Sequence, residues 1–561
     1  MLWETISAIR DLGRVQQIAS ILIRYGFGDV VQRIGMGGAL ERTGRVLHWQ
    51  AAEEMSKLDS PTRMRRALEE LGPTFVKLGQ VLATRVDLFP QEWIAEFGKL
   101  QNSVPPLPYA EIYPQLCEDL GDTPENVFAR IEETPLAAAS LAQAHRAWLA
   151  DGSAVILKVR RPGIRGVVEA DLRLLARLAE IIDAQVPDLK RYRPREVVRQ
   201  FTLSLRRELD FAAECRNAER IALNFADHPE ILVPDVYWEW TGERLNVQAL
   251  IQGIPGRDLE AVDAAGLDRK VLAHRGAATI LKMVLEDGFF HADPHPGNIF
   301  YLPGNRIGII DFGMVGRLTE ERRFQIAQLL HGMATHDGDA VVQVLLDWAD
   351  TGGIVDEQRL HADTDAFVDQ YRGVPLKQLS LGDMLADVTL ILRDHGLMLP
   401  PDLALMIKTF VTLEGMGRQL DPDFDMASQA RPFLERALVQ QHTPAALMRR
   451  GWRAMSSALD LLSRLPRDLR QLLRNARNGK LHMEIEVTSL KDFGDQVNHA
   501  ANRLTLGVVT AALIVGSSIV MHASSGPSAG TGWPTLGILG FIGAVLGGVW
   551  ILFSIWRSGR K

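Results

Sequence analysis

The run His291-Ala-Asp293-Pro-His295-Pro-Gly-Asn298, followed 13 residues later by Asp311-Phe312-Gly313, is the densest group of chemically capable side chains in the sequence. An Asp and an Asn five residues apart, in a loop broken by two prolines, can set a carboxylate beside an attacking hydroxyl and an amide oxygen beside a metal ion. The stretch Asn305 to Ile310 reads as a short strand that delivers Asp311 to the same place. These are the parts of phosphoryl transfer in kinase order: a loop Asp as base or positioner, then an Asn and a later Asp as Mg²⁺ ligands, with ATP as donor. Asp is also favoured in turns for local reasons, so either half alone is a weak signal and the combination a strong one. A transition-metal triad of His291, Asp293 and His295 is the rival reading. The two prolines prevent the helix on which such an i, i+4 His pair would converge. His291 is expected to anchor the loop by hydrogen bonds instead.

A site of this kind needs a strand lysine for the ATP phosphates and a helix glutamate to hold it, both upstream. Ser153-Ala-Val-Ile-Leu-Lys158-Val-Arg is a β-branched run ending in a lysine, and Arg206-Arg-Glu208-Leu-Asp210-Phe-Ala-Ala-Glu214 is helical in pattern and acidic. Glu214 lies 56 residues after Lys158, so Arg161 to Phe201 is expected to be inserted helix. Where a kinase has glycines over the phosphates, this chain has Ala137-Ala138-Ala139-Ser140. Alanine carries a Cβ and does not take positive φ as glycine does, so the nucleotide is expected in a different grip. After Asp311-Phe-Gly the sequence MVGRLTEERRFQIAQLL runs almost directly into a helix. It leaves no room for the segment on which a conventional protein kinase docks a peptide.

The elements that position these residues belong to a chain of 561 residues, long enough for about three or four structural units. Its charge balance of 62 basic to 69 acidic side chains gives no basic excess and argues against a nucleic-acid partner. Two cysteines cannot make a disulfide framework and fit a reducing compartment. Glu4 and Asp11 break the pattern of a cleaved secretion signal. Leu504 to Trp556, in contrast, is 53 residues without Asp, Glu, Lys or Arg. Two membrane helices, 504–521 and 535–556, account for it better than a buried soluble hairpin. Flanking basic residues place both ends, and everything before 504, in the cytoplasm. The second span holds a GxxxG at 543–547, which allows homodimer packing. Arg449 to Lys480 holds nine basic residues against Asp460 and Asp468, interleaved with leucines, and reads as a surface for anionic membrane lipids. Ile6, Ile9, Leu12, Val15, Ile18 and Leu22 make an amphipathic helix whose partner, membrane or protein, is open.

Taken together, the alanine-rich loop, HADPHPGN and DFG resemble the UbiB/AarF (ADCK-type) atypical kinase family, whose eukaryotic members support coenzyme Q synthesis. The resemblance covers roughly residues 60 to 330. Leu71-Gly-Pro-Thr-Phe-Val-Lys77-Leu-Gly79-Gln80 is similar to the family's KxGQ motif and Glu208-Leu-Asp210 to its ExD motif. The resemblance implies an α+β, protein-kinase-like bilobal fold with a helical N-terminal extension and a C-terminal transmembrane hairpin. It implies that Lys158 and Glu214 form the ion pair on the ATP phosphates, that Asp293 is the catalytic-loop Asp, and that Asn298 and Asp311 hold Mg²⁺. It also implies that Lys77, Gly79 and Gln80 lie over the site, with Glu208 and Asp210 facing them, where they exclude peptides. Asn246-Val-Gln248-Ala249-Leu250 departs from the Met-Glu usual at the family's hinge. The expected organisation is 1–60 amphipathic helices, 61–125 KxGQ extension, 126–255 N-lobe, 256–445 C-lobe, 446–503 basic juxtamembrane segment and 504–556 membrane helices. The implied function is Mg-ATP-dependent support of ubiquinone biosynthesis at the bacterial inner membrane. Lipophilic quinone precursors, membrane lipids and other biosynthetic enzymes are the implied partners. A phosphotransferase for a small soluble metabolite and a silent pseudokinase scaffold are the alternatives.

Overall fold

The computed structural model describes residues 12–33, 58–100 apart from 84, 86 and 87, 104–185, 193–348, 356–371, 380–441 apart from 398, and ten residues between 508 and 519. The chain divides into two compact units, Met1–Arg449 and Arg450–Lys561, and every candidate site residue lies in the first. The basic segment 446–503 and the second expected membrane span lie outside the described residues, as do eight of the 18 residues of the first. Among the described residues no helix is long and apolar enough to cross a membrane.

The N-terminal part is helical: α1 (Leu12–Arg24), α2 (Ser60–Leu71), α3 (Pro73–Leu82) and α4 (Gln91–Gly98). Asp59 starts α2 by accepting from the Thr62 amide at 3.4 Å, with Pro61 in the first turn. Gly72, at φ +99°, breaks the chain before Pro73 opens α3, since proline can begin a helix but not continue one. The apolar stripe of α1 is buried: Val15, Ile18 and Ile21 pack in one cluster with Leu68, Leu71 and Phe75. Arg14 Nε reaches the fully buried Asp171 at 2.7 Å. The partner of the amphipathic N-terminal helix is therefore protein, at least from Leu12 onward.

Next come α5 (Tyr109–Leu120) and the strands β1 (Arg130–Ile131), β2 (Ala137–Ala138), β3 (Ala142–Trp148) and β4 (Ala154–Arg160). Three helices follow: α6 (Ile164–Gln185), α7 (Pro194–Glu208) and α8 (Phe211–Asn224). β5 (Ile231–Leu232) and β6 (Leu245–Ala249) come after them, and β6 completes an antiparallel sheet of order β1-β3-β4-β6 with β2 on β3. Val155, Leu157 and Val159 of β4 point to one face beside Leu245 and Val247 of β6, and Ile112 and Leu116 of α5 cover them. Period-two alternation then sets Lys158 on the opposite face. The 61–125 stretch thus divides, its first helices joining α1 and its last one covering the sheet. The insertion joins the N-terminal helices, because Ile164, Val168 and Leu172 of α6 and Phe201 and Leu205 of α7 pack with α1–α3. The acidic stretch read as one helix from Arg206 to Glu214 is two: α7 ends at Glu208 and α8 starts at Phe211.

The C-lobe opens with β7 (Ile254–Pro255) and α9 (Arg269–Leu281), which Asp268 caps through the Lys270 and Val271 amides. β8 (Phe289–His291), β9 (Ile299–Leu302), β10 (Arg306–Ile309) and β11 (Val315–Arg317) surround the HADPHPGN loop. β5-β10-β9-β7 form one sheet, and β8 pairs antiparallel with β11, His291 opposite Val315. The helices α10 (Glu320–Thr335), α11 (Gly338–Trp348), α12 (Glu357–Gln370), α13 (Leu381–Asp394), α14 (Pro401–Leu420) and α15 (Met426–Gln441) complete the lobe. One apolar core runs from Ile221 and Phe290 through Leu345 to Phe410 and Leu413. This is a kinase-like α+β arrangement of two lobes with a helical N-terminal extension.

Candidate active site

β4 and α8 bring Lys158 and Glu214 together across the 56 intervening residues. Lys158 Nζ donates to both Glu214 oxygens, at 2.9 and 2.8 Å, and lies 3.3 Å from Asp311 Oδ1. Asp210 caps α8 by accepting from the Ala213 amide at 3.2 Å, and so sets the first turn of the helix in which Glu214 stands. Asn217 Nδ2, on the same helix, donates to Phe312 O at 3.1 Å, tying α8 to the Asp-Phe-Gly turn. Lys158 also sits 5.3 Å above the Phe211 ring, where the cation meets the negative face of the aromatic.

The charges of this cluster depend on one another. Burial works against the Lys158 charge, but Asp311 and Glu214 outweigh it and raise the ammonium above the ordinary lysine range. Lys158 holds the Asp311 carboxyl well below the usual carboxylate range, and Lys77 acts in the same direction. Burial pushes Glu214 up to about 7, opposed by Lys158 and reinforced by Asp311. Asp311 also sits at φ +61°, a left-handed conformation that Asp tolerates better than most residues.

The HADPHPGN loop is pinned by its own histidine and asparagine. His291 is fully buried; its Nε2 lies 3.1 Å from Ile310 O while its Nδ1 accepts from the Asp293 amide at 3.1 Å. With both nitrogens engaged by the backbone, the ring is the neutral Nε2–H tautomer, and burial lowers its pKa accordingly. It anchors the loop and is not available as a metal ligand. Asn298, also buried, donates Nδ2 to Asp293 O at 3.1 Å, which commits its NH₂ side and leaves the amide oxygen for a cation. Together with the half-exposed Asp311 carboxylate this is an oxygen donor set, the kind a hard divalent cation takes, with phosphate oxygens to complete it.

The alanine loop is closed by backbone. Ala137 and Ala138 pair with Ala144 and Gln143, the Ala139 amide donates to Ala142 O at 2.7 Å, and Arg161 Nε donates to Ala139 O at 3.0 Å. Ser140 is buried. On β6, Asn246 is fully buried opposite Lys158, and among the described residues neither amide atom of its side chain finds a partner.

The motif residues of the extension separate by role. Lys77 forms an ion pair with Glu208, joining α3 to the end of α7. Gly79 is needed for packing: a Cβ there would stand 2.2 Å from Leu100 Cδ1 and 2.9 Å from Leu68 Cδ1. Gln80 Nε2 donates to Leu100 O at 3.0 Å, and so braces the same junction. Asp210, expected to face the extension, is the cap of α8 and pairs with Arg216 at 3.2 Å.

Residues 99–345 match the ABC1 atypical kinase-like domain, 364–425 the UbiB helical domain and 488–557 the ABC1/UbiB kinase-like C-terminal domain. A protein named Probable protein kinase UbiB from Pseudomonas aeruginosa (strain LESB58) is 36% identical over 474 residues, 82% of this chain and 87% of that one. Another of that name, from Shewanella loihica, is 31% identical over 562 residues and 99% of both chains. The chain belongs to the ABC1/UbiB family of atypical kinase-like proteins. The solved complex of Rv3197 with erythromycin from Mycobacterium tuberculosis is similar at 22% identity, covering 68% of this chain and 97% of that one, with a TM-score of 0.46.

One residue of the family's helical domain enters the site unannounced by any motif. Lys408, on α14, places Nζ 2.9 Å from Asp293 Oδ1. It lies 115 positions beyond Asp293, and no local spacing connects the two.

Proposed function

We propose that this chain is a membrane-anchored atypical kinase or ATPase that uses Mg-ATP to support ubiquinone biosynthesis at the bacterial inner membrane. In this reading it acts on or extracts lipophilic quinone precursors and does not phosphorylate proteins. The observation that carries the nucleotide part is the Lys158 ammonium, clamped by Glu214 at 2.8 Å and facing Asp311 at 3.3 Å. An ammonium so held is oriented for phosphate oxygens before any ligand arrives, and preorganised charge is what phosphoryl transfer draws on. Asn298 and Asp311 would hold Mg²⁺, which when bound neutralises charge between the β- and γ-phosphates. Asp293 stands to accept a proton from the attacking hydroxyl. The alanine loop covers the nucleotide with a backbone already committed to its own turn.

The membrane part rests on the uncharged 53-residue tail and the basic segment before it. The quinone part rests on the family to which the chain belongs. Peptide exclusion rests on the Lys77–Glu208 contact and on the short path from β11 into α10. Phosphate release by the purified full chain in detergent, with and without a quinone-like phenol, tests the reading. Mg-dependent release that the phenol stimulates is expected. Release indifferent to the phenol but stimulated by a soluble metabolite would move the assignment to a small-molecule phosphotransferase. Carbonate washing of membranes carrying a chain truncated before Leu504 tests the anchor, and a truncated chain that stays resistant would place it elsewhere.

A further inference from the structure

Asp293 is held at three points, and only one of them is its carboxylate. The amide donates to His291 Nδ1 and the carbonyl accepts from Asn298 Nδ2, each at 3.1 Å, so the backbone is fixed from within the loop. The carboxylate is fixed from outside it, by Lys408 Nζ at 2.9 Å from Oδ1. His295 Nε2 stands 3.8 Å from Oδ2, beyond hydrogen-bond reach. The loop itself, HADPHPGN, contains no lysine or arginine. Lys408 is rigidly delivered: its neighbours Ile407 and Thr409 are 4% and 0% exposed, so α14 cannot slide without unpacking the C-lobe core. Both side chains of the pair keep close to a third of their surface exposed, so a ligand can reach them.

We propose that Lys408 is a positioning residue for phosphoryl transfer: by engaging Oδ1 it turns Oδ2 of Asp293 toward the attacking hydroxyl. This rests on the nucleotide reading above. In the step itself the hydroxyl proton passes to Oδ2 and the oxygen lone pair forms the new bond to the γ-phosphorus. The bond from that phosphorus to the bridging oxygen breaks, and ADP leaves with the electron pair. A positioned carboxylate contributes to the rate of this step and not to the binding of nucleotide. The helical domain of the family, in which Lys408 lies, thereby becomes part of the catalytic apparatus and not only a flank to it.

The test compares Lys408→Met, Lys408→Arg, Asp293→Asn and the Asp293→Asn/Lys408→Met double variant in the full chain, by phosphate release and by Mg-ADP titration. Lys408→Met is expected to lower kcat at least tenfold while KM for ATP and Mg-ADP affinity stay within twofold. Lys408→Arg is expected to recover part of the loss, and Lys408→Met is expected to cost nothing further once Asp293 is Asn. Unfolding midpoints check that each variant is folded, and Lys408→Gln replaces Lys408→Met if that one is not. A wild type that turns over, with Lys408→Met equal to it or equally damaging in both backgrounds, overturns the positioning role alone. A wild type that neither binds Mg-ADP nor releases phosphate overturns the nucleotide reading, and the role of Lys408 falls with it.

Discussion

Asp210 accepts the Ala213 amide at 3.2 Å and thereby sets the first turn of the helix that carries Glu214. The ion pair on Lys158 is thus built on a helix cap. Asp210→Ala should cost about 1 kcal/mol of stability by the usual worth of such a cap, and Asp210→Asn much less. Urea unfolding measures both. Nucleotide affinity should follow the same order, because a frayed first turn releases Glu214. Equal losses for Ala and Asn would assign the effect to the Arg216 contact instead.

Glu214 makes the site sensitive to pH. Burial raises its pKa to about 7, so the carboxylate that clamps Lys158 becomes fully ionised only above that value. Mg-ADP affinity should therefore rise between pH 6 and 8, and Glu214→Gln should flatten that rise. Stability runs the other way. Between the ordinary glutamate value and 7 the folded chain binds the extra proton, so this group's contribution is full at low pH and is lost as pH rises through 7. Asp311, held below the usual range, contributes above the ordinary aspartate value and loses its contribution as pH falls beneath it. Titration calorimetry at three pH values separates these effects.

Gly79 has a packing role that a direct measurement can isolate. A methyl group there would meet Leu100 Cδ1 at 2.2 Å and Leu68 Cδ1 at 2.9 Å, both ends of side chains in a filled core. Gly79→Ala should destabilise by about 1–3 kcal/mol, the usual range for overpacking, and Leu100→Ala in the same chain should recover part of it. No recovery would mean that the glycine serves something other than this contact.

Lys158 could be read from the sequence because strand alternation leaves it opposite Val155, Leu157 and Val159, and Glu214 because kinase chemistry requires an acidic helix after it. The break at Leu209–Asp210 could not, since Arg-Arg-Glu-Leu-Asp-Phe-Ala-Ala-Glu carries no Gly or Pro and keeps helical spacing throughout. What ends α7 there is the capping choice of Asp210 and the seating of Leu209 in the N-terminal core, both set by tertiary packing. The roles of Gly79 and Gln80 were hidden for the same reason, as Leu100 is 20 positions away from Gln80. Lys408 had no signal at all, because a lysine between Ile407 and Thr409 looks like any solvated position on an amphipathic helix. The spans at 504–521 and 535–556 remain a sequence reading, carried by composition.

Lys77 joins α3 to the end of α7 through Glu208 and also bears on the Asp311 charge. Its removal leaves Glu208 without that cation and loosens the contact between α3 and the end of α7. Lys77→Ala is expected to gain self-phosphorylation while the wild type transfers nothing to added proteins. Incorporation of labelled phosphate reads both. Strong transfer to generic proteins by the wild type would contradict the occlusion, and a silent Lys77→Ala would leave this lysine only a structural pair.

The central claim is that Lys158, Glu214 and Asp311 form a Mg-nucleotide site. Asp311→Asn tests it most directly: asparagine tolerates the φ of +61° at this position, so the variant removes charge without forcing the backbone. The measurement is the thermal shift of wild type and Asp311→Asn on titration with Mg-ATP. The account predicts a saturable shift in the wild type that is lost in a folded Asp311→Asn. An identical shift in both proteins would remove Asp311 from the site and contradict the account.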